Sequence, residues 1–161
     1  MTRCPSHTSP ISPISPISHS LRRAGIALAL CAPLTAALAD DNPLAAERWK
    51  TRPVVVVVPQ AGDALLAQVR ATLAEPAMRE GFRERDMALY TVVAGQGSRN
   101  DQPLEPARTR ALLQALQLQA QGPATFVLVG KDGGVKLRQG ASVDLRQVFA
   151  EVDRMPMRQS R

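Results

Sequence analysis

The sequence predicts an α/β fold in which helices cover both faces of a four-stranded mixed sheet, in the order β-α-β-α-β-β-α. Val54 to Val58 form a run of five β-branched residues without polar alternation, which is typical of a strand buried on both faces. Later segments with helical spacing of apolar residues alternate with short apolar runs, as in strands joined by crossover helices. We therefore expect three layers, α/β/α. A four-stranded α/β domain of another strand order is the alternative.

The first half of the domain is expected to contain two strands and one helix. The valine strand lies between Pro53 and Pro59, and Asp63 is a favourable N-cap for the helix that follows. Glu75-Pro76 is expected to end this helix, whose apolar face consists of Leu65, Leu66, Val69 and Leu73. Residues 87–93 then read as the second strand, because they are mostly β-branched, aromatic or apolar.

The second half is expected to begin with a polar loop at residues 95–103. Pro106 then starts a helix, at a position where a missing N–H costs nothing, and Gly122-Pro123 is expected to stop it. Because two helical crossovers join the first three strands, we expect those strands to be parallel. The third of them is predicted at residues 125–129.

A hairpin and a helix complete the predicted domain. The turn Lys131-Asp132-Gly133-Gly134 leads into a fourth, antiparallel strand at residues 135–138. Gly133 or Gly134 is expected to have a positive φ. Ser142 is expected to cap the last helix, which ends near Met155-Pro156.

Residues 1–39 are expected to be a signal peptide. Arg22-Arg23 precedes the uncharged apolar stretch from Ala24 to Leu38, and Ala37-Leu38-Ala39 has the small-x-small pattern that signal peptidase cleaves. The stretch is shorter than the ~20 residues of a spanning helix, so we expect no membrane span after cleavage. An uncleaved anchor, a lipoprotein signal at Cys31 and a core helix are the alternatives.

The first twenty residues contain a low-complexity repeat. Pro-Ile-Ser occurs three times between Pro10 and Ser18, which has no packing logic. We hypothesise that translation starts near Leu21 and that residues 1–20 are an upstream extension. The remaining organisation is a polar lead-in at 40–52 and one domain at 53–158, and the expected location is periplasmic or secreted.

Cysteine and histidine are confined to the leader, at Cys4, Cys31, His7 and His19. We therefore expect no thiol oxidoreductase or peroxidase activity, no imidazole base and no Cys/His metal site after cleavage. No metal or cofactor is predicted. The full chain has a net charge of +6, but its basic residues are scattered and not interleaved with stacking aromatics, so nucleic acid is not an expected partner.

Five cations near the predicted hairpin and the end of the last helix form a candidate anion-binding patch. Strand alternation is expected to place two of them, Lys136 and Arg138, on the same side. The predicted partner is an unknown protein or an anionic envelope component such as a lipid head group or a surface polysaccharide. Cations that protect an edge strand from aggregation are the alternative explanation. The five residues are Lys131, Lys136, Arg138, Arg154 and Arg158.

Carboxylates and a lysine supply the candidates for catalysis. Asp63 follows the first strand and reads as either a general base or a helix cap. Glu84 and Asp86 read as either a weak pair for a hard cation or a solvated charge ladder with the neighbouring arginines. A hydrolase or another enzyme of unrecognised type that uses Asp63, Asp86 or Lys131 is therefore the alternative to a non-catalytic binding module.

Three stretches resemble a known family: residues 84–87 (Glu-Arg-Asp-Met), residues 130–138 (Gly-Lys-Asp-Gly-Gly-Val-Lys-Leu-Arg) and residues 153–158 (Asp-Arg-Met-Pro-Met-Arg). Together they resemble the domain-of-unknown-function 4174 family, over about Trp49 to Arg158. The resemblance implies an exported protein with a thioredoxin-like fold, nearest the peroxiredoxins, and without an assigned activity.

The resemblance also implies where a redox site would lie. In thioredoxins a Cys-x-x-Cys motif opens the helix after the first strand, and residues 59–63 occupy that place here without sulfur. Pro123 stands where peroxiredoxins commonly carry an arginine, two residues before the threonine that corresponds to Thr125. Gln60, Asp63 and Thr125 are thus the candidate residues at the thioredoxin active-site position. The expected function is an exported, non-catalytic thioredoxin-like binding or interaction module.

Overall fold

A computed structural model describes residues 42–155 of the chain. The predicted leader and Arg158 lie outside these residues. The helices are α1 (Pro43–Glu47), α2 (Ala64–Ala74), α3 (Pro76–Glu84), α4 (Pro106–Ala115) and α5 (Leu145–Asp153). The strands are β1 (Arg52–Val58), β2 (Met87–Val93), β3 (Gln96–Arg99), β4 (Gln102–Pro103), β5 (Thr125–Val129) and β6 (Val135–Gln139). Within the described part, no helix combines the length and the apolar character needed to cross a membrane.

The strands form one mixed sheet in the order β4-β3-β2-β1-β5-β6. β1 is parallel to β2, and every other neighbouring pair is antiparallel. The predicted α/β class with a mixed sheet is confirmed. The predicted number of four strands is wrong, because β3 and β4 extend the sheet beyond β2.

The polar loop predicted for residues 95–103 is in fact two short strands joined by tight turns. Ala94 and Gly95 connect β2 to β3, and Asn100 and Asp101 connect β3 to β4. All four residues have positive φ values, of 48°, 85°, 46° and 64°. Two consecutive positive φ values define the two-residue turns whose twist matches that of hairpin strands. Because β3 is polar and lacks apolar alternation, the sequence did not predict it as a strand.

The predicted parallel arrangement of the first three core strands is also wrong. β5 is antiparallel to β1, with Thr125 opposite Val57. α4 ends at Ala115, well before Gly122-Pro123, and the chain then turns back. A Cβ placed on Gly95 would lie 3.6 Å from that of Ala120, so the connecting segment returns to the β2–β3 turn. β5 therefore starts at the sheet edge where β1 ends.

Both faces of β1 are covered by helices, as predicted. Val54, Val56 and Val58 pack with residues of α2, α3 and α5, whereas Val55 and Val57 pack with residues of α1 and α4. Val56 has no exposed surface, which confirms the prediction of a doubly covered central strand. Each fully buried valine contributes about 1.5–3 kcal/mol, so this strand anchors both cores.

Three helix assignments need correction. α1 and α3 were not predicted; Pro76 ends the region of α2 and occupies the first turn of α3, where proline is favourable. The cap of α5 is Asp144 and not Ser142, since Asp144 Oδ1 accepts from the N–H of Arg146 at 2.9 Å. The intervening Val143 is held by Gln68, which donates to its carbonyl oxygen at 2.9 Å. The helix therefore starts two residues later than expected.

Candidate functional site

The candidate residues lie at two opposite ends of the sheet. We define the carboxyl end as the edge where β1 finishes and the loop 59–63 follows, with Thr125 beside it. We define the amino end as the edge where β1 begins at Arg52 and the hairpin turn 130–134 lies. β1 has seven residues, so the two ends are about 20 Å apart. Groups at one end cannot act on the same reacting atom as groups at the other.

The polar groups of the carboxyl end form hydrogen bonds with residues close to them in the chain. Asp63 is the N-cap of α2, and its Oδ1 accepts from the N–H of Leu65 at 2.9 Å. Thr125 Oγ1 donates to the carbonyl oxygen of Pro123 at 2.8 Å. The carbonyl oxygen of Gln60 accepts from the N–H of Asp63 at 3.2 Å. Asp63 and Thr125 are thus each bonded to a backbone group two residues away in the chain.

The amino end contains a cleft of about 410 Å³. Three of the five predicted cations line it, namely Lys131, Lys136 and Arg154, together with Arg52, which the sequence did not single out. We call this the amino-end cleft. Its complete lining is Arg52, Gly130, Lys131, Asp132, Lys136, Glu151, Arg154 and Met155.

Lys131 is bound through both its ammonium and its backbone. It is 8% exposed, and its Nζ donates to Asp86 Oδ2 at 2.8 Å. Its carbonyl oxygen accepts from the N–H of Trp49 at 2.7 Å. The charge-ladder interpretation is therefore wrong for Asp86, whose carboxylate reaches across to a buried lysine.

The two residues that bind Lys131 have left-handed backbones. Asp86 has a φ of 51° and Trp49 a φ of 65°. Each directly follows the C-cap of a helix, α3 or α1, where a left-handed residue commonly ends the helix. Lys131 is therefore bound by the residues at which these two helices end, through its ammonium by Asp86 and through its carbonyl oxygen by Trp49.

The other cleft cations are also positioned by hydrogen bonds. Arg52 is 2% exposed, and its Nη1 donates to the carbonyl oxygen of Arg85 at 2.8 Å. Lys136 Nζ donates to Asp132 Oδ2 at 2.6 Å, and this bond holds the pKa of Asp132 below its ordinary value. Arg154 pairs with Glu151 at 3.3 Å. The lining thus contains four cations and the two carboxylates of Asp132 and Glu151, and Lys131 also pairs with Asp86.

Arg138 is separate from this cleft. Its Nη2 donates to the carbonyl oxygen of Leu116, the C-cap residue of α4, at 2.7 Å. An arginine in this position satisfies a carbonyl that the helix itself leaves without a partner. Lys136, two residues earlier, instead binds Asp132 of the hairpin turn. The predicted patch is therefore divided, and Arg138 belongs to the end of α4.

A buried carboxylate that the sequence did not indicate fixes α1 to the sheet. Glu47 is 7% exposed; its Oε1 accepts from Tyr90 Oη and from Arg99 Nε, each at 2.7 Å, and its Oε2 accepts from Thr51. Burial alone would raise the pKa of Glu47, but the bonds from Arg99, Thr51 and Tyr90 outweigh it and hold the pKa below its ordinary value. Burial, followed by the bond to Glu47, raises the pKa of Tyr90. The cluster therefore keeps a charged carboxylate and a neutral phenol together.

The sequence analysis did not identify two features of the cleft, its residue Arg52 and its carboxylates, for different reasons. Arg52 lies two residues before Val54, the first residue of the valine run, so a charged residue at the start of a buried strand was a signal that could have been used. The cleft carboxylates Asp132 and Glu151 had no such signal, because each is ordinary on an exposed turn or helix. Only the packing of α5 beside the hairpin brings them together.

These observations define a mixed-sheet α/β domain with a cation-lined cleft at one end of its sheet and no cysteine at the other. The chain belongs to the family described as domain of unknown function (DUF4174), whose model matches residues 43–161. The family resemblance of the sequence motifs is thus confirmed. A comparison with curated proteins finds no match.

Proposed function

We propose that the protein is an exported, non-catalytic binding module with a thioredoxin-like fold, whose amino-end cleft takes an anionic group of an envelope component or of a partner. The observation that carries the proposal is the convergence of Arg52, Lys131, Lys136 and Arg154 on one cleft of about 410 Å³. Lys131 is held in place there by the carboxylate of Asp86 and by the backbone N–H of Trp49, which donates to its carbonyl oxygen.

The thioredoxin-like part of the proposal is supported by the element order. Without α1, α3, β3 and β4, the chain reads β1-α2-β2-α4-β5-β6-α5, which is the order β-α-β-α-β-β-α. The four strands of this set are adjacent in the sheet, as β2-β1-β5-β6. The family resemblance implies the same fold.

The non-catalytic part is supported by how the candidate catalytic groups are used. Asp63 caps α2, and Asp86 and Lys131 pair with each other. Asp63 lies at the opposite end of the sheet from that pair, so the three candidates of the enzyme hypothesis do not converge. A lysine that is already paired, in a cleft lined by four cations, is better suited to binding an anion than to accepting a proton.

Export is supported by the leader pattern and has its own test. Expressed in a Gram-negative host with its native leader, the protein should appear in the periplasmic fraction. Its N-terminus should begin at or near Asp40, because Ala37-Leu38-Ala39 matches the cleavage pattern. Retention of the intact leader in the cytoplasm would contradict export.

Binding is tested by calorimetric titration of the purified protein at low ionic strength with citrate, which carries carboxylates, and pyrophosphate, which carries phosphates. We expect saturable binding of at least one anion with a Kd of about 1 mM or tighter, equivalent to about 4 kcal/mol. Lys136→Glu/Arg154→Glu should weaken it at least tenfold, because it places two negative charges in the cleft lining.

The matched control is Arg70→Glu/Arg110→Glu, which makes the same change in net charge. Both arginines are exposed on helices outside the cleft lining, and neither forms a hydrogen bond or ion pair within residues 42–155. The control should bind as the wild type does. Equal loss in both double variants would mean that overall charge, and not the cleft, attracts the anion. Absence of saturable binding to either probe would overturn the proposed function.

A further inference from the structure

The two edges of the sheet differ in how well they could accept another strand. β4 has two residues, and one of them is Pro103, which has no N–H to donate. β6 has five residues and no proline. It is the last strand in the sheet order, so within residues 42–155 only β5 pairs with it. An edge strand leaves a row of N–H and C=O groups without strand partners, and an extended segment can bind to them.

A groove of about 510 Å³ lies between β6 and α5. We define this edge groove by residues 136, 137 and 139 on β6 and by residues 147, 150, 151 and 154 on α5 and at its end. The α5 residues recur at intervals of three and four, so one side of the helix faces the groove. Leu137 provides an apolar contact, and the small side chain of Ala150 leaves space beside the strand. A strand added to β6 would direct every second side chain to this face of the sheet.

Two cations of β6 lie on opposite faces of the strand. Lys136 Nζ donates to Asp132 Oδ2 at 2.6 Å and lines the edge groove beside α5. Arg138 Nη2 donates to the carbonyl oxygen of Leu116 at the end of α4. α5 and α4 cover opposite faces of the sheet. Because β6 contains no acidic residue, a strand paired with it would meet one positive charge on each face.

These cations disfavour a second copy of the chain as the added strand. Two β6 strands related by a two-fold axis pair antiparallel, and with full overlap Leu137 lies opposite its own copy. Lys136 then lies opposite Arg138 of the second copy, and like charges directly opposite destabilise a strand pair. Carboxylates at the same positions would be attracted. The charges that protect this edge from self-pairing therefore also select an acidic partner.

We propose that β6 binds an extended acidic segment of another protein by strand addition, with side chains of the segment in the edge groove. The segment carries acidic residues on both of its faces, because one cation lies on each face of β6. This inference goes beyond the proposed function, because it does not require an anion in the amino-end cleft. Lys136 and Arg154 line both sites, so the test uses changes that lie outside the cleft.

The test begins with a peptide blocked at both ends, Thr-Val-Glu-Val-Thr-Asp-Val-Thr, in calorimetric titration of the purified protein at low ionic strength. Its two acidic residues are three positions apart, so they lie on opposite faces of an extended strand. We expect saturable binding with a Kd of about 0.1 mM or tighter. The same peptide with lysine at both acidic positions should bind at least tenfold more weakly.

Two N-methylated forms of the acidic peptide test for backbone pairing. One is methylated at its odd-numbered residues and the other at its even-numbered residues. Successive residues of a strand direct their N–H groups to opposite edges, and an added strand pairs through one edge. One form should therefore lose binding at least tenfold, and the other should retain it. Both forms are used with the wild-type protein, so this result does not depend on the folding of any variant.

Ala150→Phe tests the edge groove, because it places a bulky side chain there at an exposed position of α5. It should weaken peptide binding at least tenfold and melt within a few degrees of the wild type. Citrate binding should be unchanged, since Ala150 is not part of the lining of the amino-end cleft. Ala67→Phe is the matched control at an exposed position of α2 outside the edge groove, and it should bind the peptide as the wild type does.

The outcomes separate this inference from the proposed function. Absence of saturable peptide binding, retention of binding by both N-methylated forms, or equal binding of the lysine peptide would overturn strand addition of an acidic segment. Citrate binding that persists in the same samples would leave the proposed function standing. A dimer of the wild type in analytical ultracentrifugation that is absent in Ala150→Phe would overturn the inference in favour of a second copy. Peptide binding without citrate or pyrophosphate binding would overturn the proposed function alone.

Discussion

The two ends of the sheet use the same kinds of residues in opposite ways. At the carboxyl end, Asp63 and Thr125 bond to backbone groups two residues away. At the amino end, Asp86 and Lys131 bond across 45 positions of the chain, and Trp49 also bonds to the backbone of Lys131. Local bonds complete secondary structure, whereas long-range bonds fix distant segments of the chain against each other. The carboxyl end is thus the less informative end of this domain.

The largest expected effect on stability comes from replacing an aspartate by asparagine, and it should differ between the two ends of the sheet. Asp86→Asn keeps a residue that tolerates positive φ but removes the charge opposite Lys131, which is almost fully buried. Loss of one partner of a fully buried pair costs about 3–5 kcal/mol, and since the Asp86 side chain is one-third exposed we expect about 2 kcal/mol. Asp63→Asn should change stability little, because asparagine caps a helix as well as aspartate does. Urea denaturation measures the free energy of unfolding of both variants. Equal losses of stability would contradict the difference between the two ends of the sheet.

The hairpin turn provides a second comparison, between adjacent glycines. Gly133 has a φ of 83°, and a Cβ there would meet Arg48, whereas a Cβ on Gly134 would have only ordinary contacts at 3.5–3.6 Å. Gly133→Val should therefore cost about 2 kcal/mol, and Gly134→Val should cost clearly less. Melting temperatures of the two variants test this. Equal stability of both variants and the wild type would show that the turn does not require the left-handed residue.

Much of this fold could be predicted from short stretches. The valine run, the Asp63 cap and the turn at Gly133 depend on neighbours in sequence, so pattern and propensity identified them. The direction of β5 and the strands β3 and β4 depend on where the chain returns after α4 and on polar residues that pair only through their backbone. The cleft was predicted in part, because the sequence indicated Lys131, Lys136 and Arg154. Tertiary packing adds Arg52 to the lining and places Arg138 at the end of α4 instead.

A smaller effect on stability concerns the hydrogen bonds of Glu47 that fix α1 to the sheet. The pKa of Glu47 in the folded state lies below its ordinary value of 4.5. Its stabilising contribution is therefore present above the pH at which the unfolded carboxyl ionises and is lost as the pH falls through the folded pKa. Glu47→Gln should be less stable at pH 7, by about 1–2 kcal/mol, and should lose less stability between pH 5 and pH 3. Urea midpoints at these pH values measure the difference; parallel pH profiles would contradict it.

The last prediction is that the protein has no thiol-dependent activity. Insulin reduction and peroxide consumption by the protein that lacks residues 1–39 should match buffer, because cysteine is absent from residue 40 onward. Heat-inactivated protein is the control. Turnover above that control would return catalytic chemistry to the carboxyl end.

The most direct test is a map of where an anion binds. Amide chemical shifts of the isotope-labelled protein should be followed during a citrate titration at low ionic strength. We expect saturable shifts at residues 130–134 and 136, around the amino-end cleft, with the amides of residues 60–63 and 125 unchanged. Saturable shifts at residues 60–63 and 125, with residues 130–134 unaffected, would place the binding site at the opposite end of the sheet and contradict the assignment of the cleft.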